Sequence, residues 1–301
     1  MALSPRGQAG PATLPCSRED YPRKEATGRG DPSDPLRYHA GMARQDRKPS
    51  SRGEVAEIIF EDEDLVVVEK PVGLPVIAPE GGRGKNLLDF VSARLKRKGQ
   101  RGRAALVHRL DRDTSGIMVF ATNARAKKIL MDEWQERARD RRYVALVEGD
   151  MGGEAGHLDS WIAPAGPSRM VTAKPGAREA LHALGSWKRI GSGSGYTLLE
   201  VALETGRKHQ IRVQLAALGH PVAGDLTYGA RSDPAGRLML HASLLEIVHP
   251  TTNESRRFES PPPHSFRAAL ARPVTWRAQG EDAPEPTASR RGRARNSPRR
   301  N

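Results

Sequence analysis

The chain has 301 residues and carries 49 Lys or Arg against 36 Asp or Glu, which gives a formal net charge of +13. Such a charge indicates either a polyanionic partner or a solvated basic surface, and it does not determine the fold. A single cysteine, Cys16, excludes an internal disulfide framework and a zinc site built from cysteines. No apolar run approaches the roughly 18 residues of a membrane helix, so we expect a soluble, cytoplasmic protein.

The two ends of the chain differ in composition from its middle. Residues 1–53 contain no Ile, Val, Phe or Trp and no signal-peptide core, and residues 278–301 are rich in Arg. Segments of this kind cannot bury enough apolar surface to offset chain entropy, so we predict that both are disordered. The Arg-rich tail fits loose contacts with nucleic-acid phosphates as well as it fits a solvated, dispensable end. Residues 54–277 are long enough for one hydrophobic domain.

The first predicted elements are a hairpin and a helix. Residues 58–60 and 65–68 are short β-branched runs on either side of an acidic turn, which favours a β-hairpin. Pro71 should end the second strand because proline cannot continue the hydrogen-bond ladder. Asn86 is placed to cap the helix that follows.

A second helix is predicted after Asn123, with Ile129, Leu130 and Trp134 facing the core. β-Branched and aromatic residues then predict a series of strands, at residues 143–147, 158–162, 180–190, 196–203 and 238–248. The glycine-rich residues 191–195 are predicted to form the hairpin loop between two of these strands.

A third helix is predicted at about residues 208–218, with Ile211, Leu215 and Leu218 on its core face. The chain therefore has few helices and many strands, and most strands follow one another in hairpin order. This pattern indicates an α+β fold with a largely antiparallel sheet.

Three common site motifs are incomplete or absent. The glycines at residues 81–84 resemble a P-loop, but Pro79 stands at the first required glycine and Asn86 at the hydroxyl that binds magnesium. The glycines at residues 191–195 lack the spacing of a dinucleotide fingerprint and precede a strand. No two histidines have the spacing of a zinc hydrolase. We therefore expect neither a metal nor a cofactor.

Two stretches combine charge with a predicted buried element. Residues 107–117 place Asp111 among arginines just before an apolar run, which is typical either of an ion pair that fixes a turn or of a working carboxylate. Residues 205–212 place three basic side chains at the start of the third helix, where free N–H groups add positive potential. This concentration of donors suits a phosphate or a buried carboxylate, or it is simply a solvated basic helix start.

These stretches resemble the motifs of the RluA-type pseudouridine synthases. Residues 108–116, HRLDRDTSG, are similar to the family signature HRLDxxTSG, and residues 205–212 are similar to its TGRxHQIR element. Four further similar segments occur in the family's order, at residues 61–75, 142–149, 224–229 and 240–242. The ordered series spans about two-thirds of the chain. It implies the pseudouridine synthase catalytic fold, with a mixed sheet flanked by helices and the active site in a central cleft.

The resemblance implies an isomerase that converts uridines of structured ribosomal or transfer RNA to pseudouridine. Such an enzyme must flip the nucleotide out of the stack before it can reach the base. By resemblance Asp111 is the nucleophile, attacking either C1′ of the sugar or C6 of the uracil. Tyr143 corresponds to the tyrosine that stacks on the uracil and takes the C5 proton, and Arg212 to the arginine that pairs with the nucleophile.

The resemblance also implies the RNA contacts. Arg109 matches the arginine that fills the space left by the flipped base, and we assign Arg207 and Lys208 to the RNA backbone. Lys208 departs from the small hydroxyl residue that the family often has there. Asp113 is expected to be a surface residue and not a second catalytic acid. We expect a monomer whose partner is RNA.

Two other functions compete with this interpretation. An RNA-binding protein of the same fold that has lost catalysis is expected to lack Asp111, Tyr143 or Arg212, and here all three are present. A carboxylate-based nucleoside or glycoside hydrolase would need a second positioned carboxylate and would give little reason for the basic surface.

Overall fold

The computed structural model describes residues 55–78, 84–99 and 103–274. The disorder predicted for residues 1–53 and 278–301 concerns sequence outside these ranges, and the domain bounds at 54 and 277 stay a prediction. None of the helices in the described ranges has the length and apolarity that crossing a membrane would require.

The described residues build one eleven-stranded mixed sheet, in the order β1-β2-β4-β10-β5-β9-β8-β6-β7 with β3 on β4 and β11 on β10. The strands are β1 (Glu57–Glu61), β2 (Leu65–Lys70), β3 (Ala105–Leu106), β4 (Ser115–Ala121), β5 (Ala138–Glu148), β6 (Ala155–Pro164), β7 (Met170–Ala173), β8 (Leu181–Gly193), β9 (Tyr196–Leu203), β10 (Leu240–Val248) and β11 (Ser255–Glu259). Among the strand pairs that the structure describes, only β4 with β10 is parallel. The predicted α+β class with a largely antiparallel sheet is confirmed.

Few helices accompany the sheet. They are α1 (Leu87–Arg97), α2 (Ala124–Asp132), α3 (Trp134–Arg137), α4 (Gln210–Ala217), α5 (His264–Leu270) and the 3₁₀ helix Leu226–Tyr228. Asn86 and Asn123 cap α1 and α2 as predicted, since each side chain accepts the backbone N–H three residues further on. Trp134 was predicted to lie in the second helix and to face the core. It instead begins the short α3 and is only partly buried.

Two further local predictions, for Leu218 and for residues 191–195, were wrong. Leu218 does not face the core: it follows the end of α4 and is 52% exposed. The third helix runs from Gln210 to Ala217, close to the predicted bounds of about 208–218, and begins after His209 because that residue has a left-handed backbone. Residues 191–195 are not all loop, since β8 runs to Gly193 and only two residues turn the chain into β9.

The first half of the sheet is buried on both faces. On β2 and β4, alternate residues such as Val66 and Phe120 pack with α1, while their neighbours Val67 and Val119 pack with α2. A strand buried on both sides has an unbroken apolar sequence instead of an alternating one. This accounts for the continuous apolar runs in both strands, and it makes β4 a rigid support for the loop that precedes it.

One row of paired residues connects the two halves of the sheet near the start of β4. Ala242 on β10 is the partner of both Tyr143 on β5 and Gly116 on β4. Gly116 has φ +112, and a Cβ there would lie 2.1 Å from the carbonyl oxygen of Ala242. Only glycine allows this close approach. The row therefore places the loop before β4 beside Tyr143.

Gly116→Ala should lower the free energy of unfolding by at least about 3 kcal/mol, because the new methyl group meets backbone and not a movable side chain. Gly219→Ala is the matched control, since Gly219 also has a positive φ of +87 but nothing lies within 4 Å of the place that its new methyl group would take. Gly219→Ala should lower the free energy of unfolding by only about 1 kcal/mol, which is the cost of backbone strain. Urea unfolding followed by circular dichroism measures both, and equal losses would contradict this account of the row.

Candidate active site

The loop before β4, residues 108–114, is anchored at its start by a neutral histidine. His108 Nε2 accepts the backbone N–H of Val119 at 3.0 Å, and its ring stacks on Trp134 with centroids 4.8 Å apart. Burial lowers the pKa of His108 to about 3. His241 on β10 is also buried, and burial lowers its pKa to about 3 as well. Each imidazole is therefore neutral and acts as a hydrogen-bonding group that holds the fold together.

A buried lysine holds the middle of the same loop. Lys70, at the end of β2, has no exposed surface, and its Nζ donates to the carbonyl oxygens of Pro71 and Leu74 at 2.9 Å each. A third bond, of 2.6 Å, reaches the carbonyl oxygen of Arg112, the residue after Asp111. Lys70 therefore ties the strand end to the turn that carries Asp111. The sequence showed this residue only as the end of a strand.

The stability contributed by Lys70 should depend on pH. Burial lowers the pKa of Lys70 to about 7, whereas an unfolded lysine titrates near 10.4. Between these values the unfolded chain binds more protons, so stability rises with pH. Relative to that of Lys70→Met, the free energy of unfolding of the unaltered protein should rise by on the order of 2 kcal/mol from a pH of about 7 to a pH of about 9.5. Urea unfolding of both proteins at the two pH values checks this, and a constant difference between them would contradict it.

Arg212 joins two carboxylates that are far apart in the sequence. From the first turns of α4, its Nη1 donates to Asp111 Oδ2 at 3.0 Å. Its Nε and Nη2 donate to the two carboxylate oxygens of Asp225 at 2.6 and 2.9 Å. Burial opposes the charge of Arg212, but the hydrogen bonds and charge of the two aspartates raise its pKa overall. The guanidinium is therefore a permanent cation beside Asp111.

Asp225 was not singled out from the sequence, although it lies in the GDxxYG segment that resembles the family. Its side chain is 1% exposed, and both of its oxygens bind Arg212. A carboxylate held in this way fixes the arginine and has no free edge to offer a substrate. Asp225 therefore does not act as the second working carboxylate that a glycoside hydrolase requires.

An open cleft lies over Asp111. Four other residues predicted for the site line it, namely Arg109, Tyr143, Arg207 and Arg212. Its apolar lining comes from four residues: Leu110, Leu203, Ile211 and Leu240. An apolar cleft with a few convergent polar groups suits a flat ring that carries hydrogen-bonding edges.

Lys208 does not line the cleft. It is exposed, and its Nζ donates to the carbonyl oxygen of Pro167 in the loop between β6 and β7, at 2.9 Å. Arg207 does line it, and its Nε donates to the carbonyl oxygen of His182 at 3.0 Å. Asp113 lies at the surface as expected, with its side chain 42% exposed beside Arg112.

Tyr143 stays a neutral phenol at physiological pH. Burial raises its pKa to about 12; nearby Arg141 acts against this shift and Asp111 adds to it. At neutral pH almost none of this side chain is then phenolate, which is the form that could accept a proton. Tyr143 lies in the cleft wall, and the two roles predicted for it, stacking on the uracil and taking the C5 proton, stay predictions.

Comparison with known proteins agrees with this geometry. Residues 64–217 match the family model described as RNA pseudouridylate synthase. This chain belongs to the RNA pseudouridine synthase family, in its RluA-type branch. Ribosomal large subunit pseudouridine synthase D of Nitrosomonas europaea is 35% identical over 78% of this chain and 70% of its own length. An uncharacterized RNA pseudouridine synthase of Aquifex aeolicus is 39% identical over 71% of this chain and 72% of its own.

The solved structures show the same relationship. Human RNA pseudouridylate synthase domain containing 1 superposes with a TM-score of 0.60 at 27% identity, covering 78% of this chain and 94% of that one. RNA pseudouridine synthases are isomerases, and this chain is an RNA pseudouridine synthase. The family and fold inferred from the sequence motifs are confirmed.

Proposed function

We propose that this pseudouridine synthase modifies specific uridines of structured ribosomal RNA. Its relatives in Nitrosomonas europaea and Pseudomonas aeruginosa are named for the large ribosomal subunit. Transfer RNA is the alternative substrate. The enzyme works as a cytoplasmic monomer and needs neither a metal nor a cofactor, since the nucleophile and its counter-ion both belong to the chain.

The observation that carries the mechanism is the position of Asp111. Its carboxylate lines the cleft, is 17% exposed, and is paired with Arg212. Arg212 holds the carboxylate by one oxygen and leaves the other open to the cleft, and a carboxylate is a nucleophile toward carbon. Asp111 forms a covalent bond to the flipped nucleotide at C1′ or C6. The N1–C1′ bond breaks, the base rejoins C1′ of the sugar through C5, and the bond to Asp111 breaks again. The C5 proton passes to water and N1 takes up a proton, so the product is an isomer of the substrate.

The other cleft residues hold the flipped nucleotide. Tyr143 stacks on the uracil from the cleft wall, while the exposed Arg109 at the cleft edge fills the gap left in the RNA stack. Arg207 and Lys208 contact the RNA backbone beside the cleft. The net charge of +13 supports binding to the polyanion.

Release of tritium tests the proposal. Purified protein is incubated with ribosomal and transfer RNA that carry tritium at uracil C5, and the label released to water is counted. We expect release from ribosomal RNA, because the C5 proton must leave when the base rejoins. Release from transfer RNA alone would show that the substrate is transfer RNA and not ribosomal RNA. No release from either RNA, at any enzyme concentration, would reject the function.

A further inference from the structure

His209, the residue just before α4, has an unusual backbone. Its φ of 55 puts a non-glycine residue in the left-handed region, and its side chain makes no capping bond to the helix. This conformation is uncommon and costs free energy, although histidine tolerates it better than most residues. Because no capping bond offsets the cost, the conformation indicates that the position of the imidazole matters.

Tyr228 fixes that imidazole from one side. Its hydroxyl oxygen accepts the backbone N–H of Met170 at 3.0 Å and lies 2.9 Å from Nδ1 of His209. Since the hydroxyl already accepts from Met170, its own proton is free to donate to Nδ1. A histidine that accepts at Nδ1 carries its proton on Nε2. The two rings also meet edge to face, with centroids 5.7 Å apart.

The other side of the ring faces Asp111. His209 Nε2 lies 3.7 Å from Oδ1 of Asp111, while Arg212 binds Oδ2 of the same carboxylate. Charge favours the same tautomer, because an Nε2 lone pair would be repelled by a carboxylate. Burial lowers the pKa of His209, and Asp111 acts in the opposite direction. The neutral ring still presents an N–H to Asp111.

We propose that His209, oriented by Tyr228, is a positioning residue for the nucleophile: its Nε2–H binds Oδ1 of Asp111 once a uridine fills the cleft. The proposal rests on Asp111 being the nucleophile. A separation of 3.7 Å is long for a hydrogen bond, and such contacts shorten when substrate fills the site. With Arg212 on Oδ2 and His209 on Oδ1, the carboxylate plane is fixed and its remaining lone pairs point at the nucleotide.

A matched pair of variants at position 209 tests this role. In His209→Asn the amide reaches the place of Nδ1 and keeps the contact with Tyr228, but it ends short of Asp111. Asparagine also tolerates the left-handed backbone. We expect kcat to fall by about 10- to 100-fold, the loss of one hydrogen bond to a charged group. KM, RNA affinity and the thermal midpoint should change little.

His209→Gln restores an amide N–H near the place of Nε2. The kcat of His209→Gln should be several-fold higher than that of His209→Asn. The melting temperature of His209→Gln should nevertheless be lower, because glutamine is less suited than asparagine to a left-handed backbone. Thr227→Ala, an exposed change beside Tyr228, serves as the control and should keep full activity. Recovery of activity without recovery of stability is a result that a purely structural role of His209 would not give.

Three results would overturn the inference. They are an unchanged kcat in His209→Asn, a loss confined to KM, and equal losses in both variants that parallel their melting temperatures. In each case tritium release by the unaltered protein would leave the proposed function standing. Absence of release by the unaltered protein would instead reject the function itself, so the two failures are distinguishable.

Discussion

Asp111→Asn should abolish pseudouridine formation while the protein still folds and binds RNA. Asparagine keeps the size of the side chain, and its carbonyl oxygen can still accept from Arg212 Nη1, 3.0 Å from Oδ2 in the unaltered protein. It is not a nucleophile, however, and removal of a nucleophile costs on the order of 10⁴-fold or more in rate. Single-turnover tritium release measures the loss, and a filter-binding assay measures RNA affinity.

Asp113→Asn is the matched control for this prediction. It makes the same chemical change two residues away, on a side chain that is 42% exposed and paired with Arg112. Its activity should stay within about threefold of the unaltered rate, since an exposed ion pair contributes little. Comparable losses in the two variants would show that charge in the loop matters and that Asp111 has no special role.

Arg212→Met should have the second largest effect, on stability and activity together. The change leaves Asp225, which is 1% exposed, as a buried carboxylate without its partner. Breaking a buried pair in this way costs about 3 to 5 kcal/mol. Pseudouridine formation should also fall by at least about 100-fold, because Asp111 loses its counter-ion. Urea unfolding and tritium release measure the two effects.

The double variant Arg212→Met with Asp225→Asn separates these effects. Neutralising Asp225 removes the unpaired buried charge, so at least about 1 to 2 kcal/mol of stability should return. Activity should not return, because Asp111 still lacks its arginine. If activity recovered along with stability, Arg212 would be a structural residue and not the partner of the nucleophile.

Local signals in the sequence predicted most of the fold. Asn86 and Asn123 each bond a backbone N–H only three residues away, and such contacts need no knowledge of the distant chain. The strand β9 was predicted within its observed bounds because its β-branched and aromatic residues are continuous. By contrast, β7 has four residues and was missed, since so short a run carries little pattern.

Local signals predicted less of the site than of the fold. The ion pair of Asp111 with Arg212 joins residues 101 positions apart, and only the family resemblance suggested it. The roles of Asp225 and Lys70 come from tertiary packing, because each binds groups that lie close only in the folded chain. The hydroxyl of Tyr228 likewise bonds Met170 and His209, which the fold brings to it from other parts of the chain.

Identification of the product tests the central claim most directly. RNA treated with the unaltered protein or with Asp111→Asn is digested to nucleosides, which are separated by chromatography. The amount of pseudouridine is then compared with the amount of tritium released. A cleft that isomerises uridine through Asp111 should yield one pseudouridine for each C5 proton lost, and none with Asp111→Asn. Free uracil from the unaltered protein, or pseudouridine formed at a comparable rate by Asp111→Asn, would contradict the account.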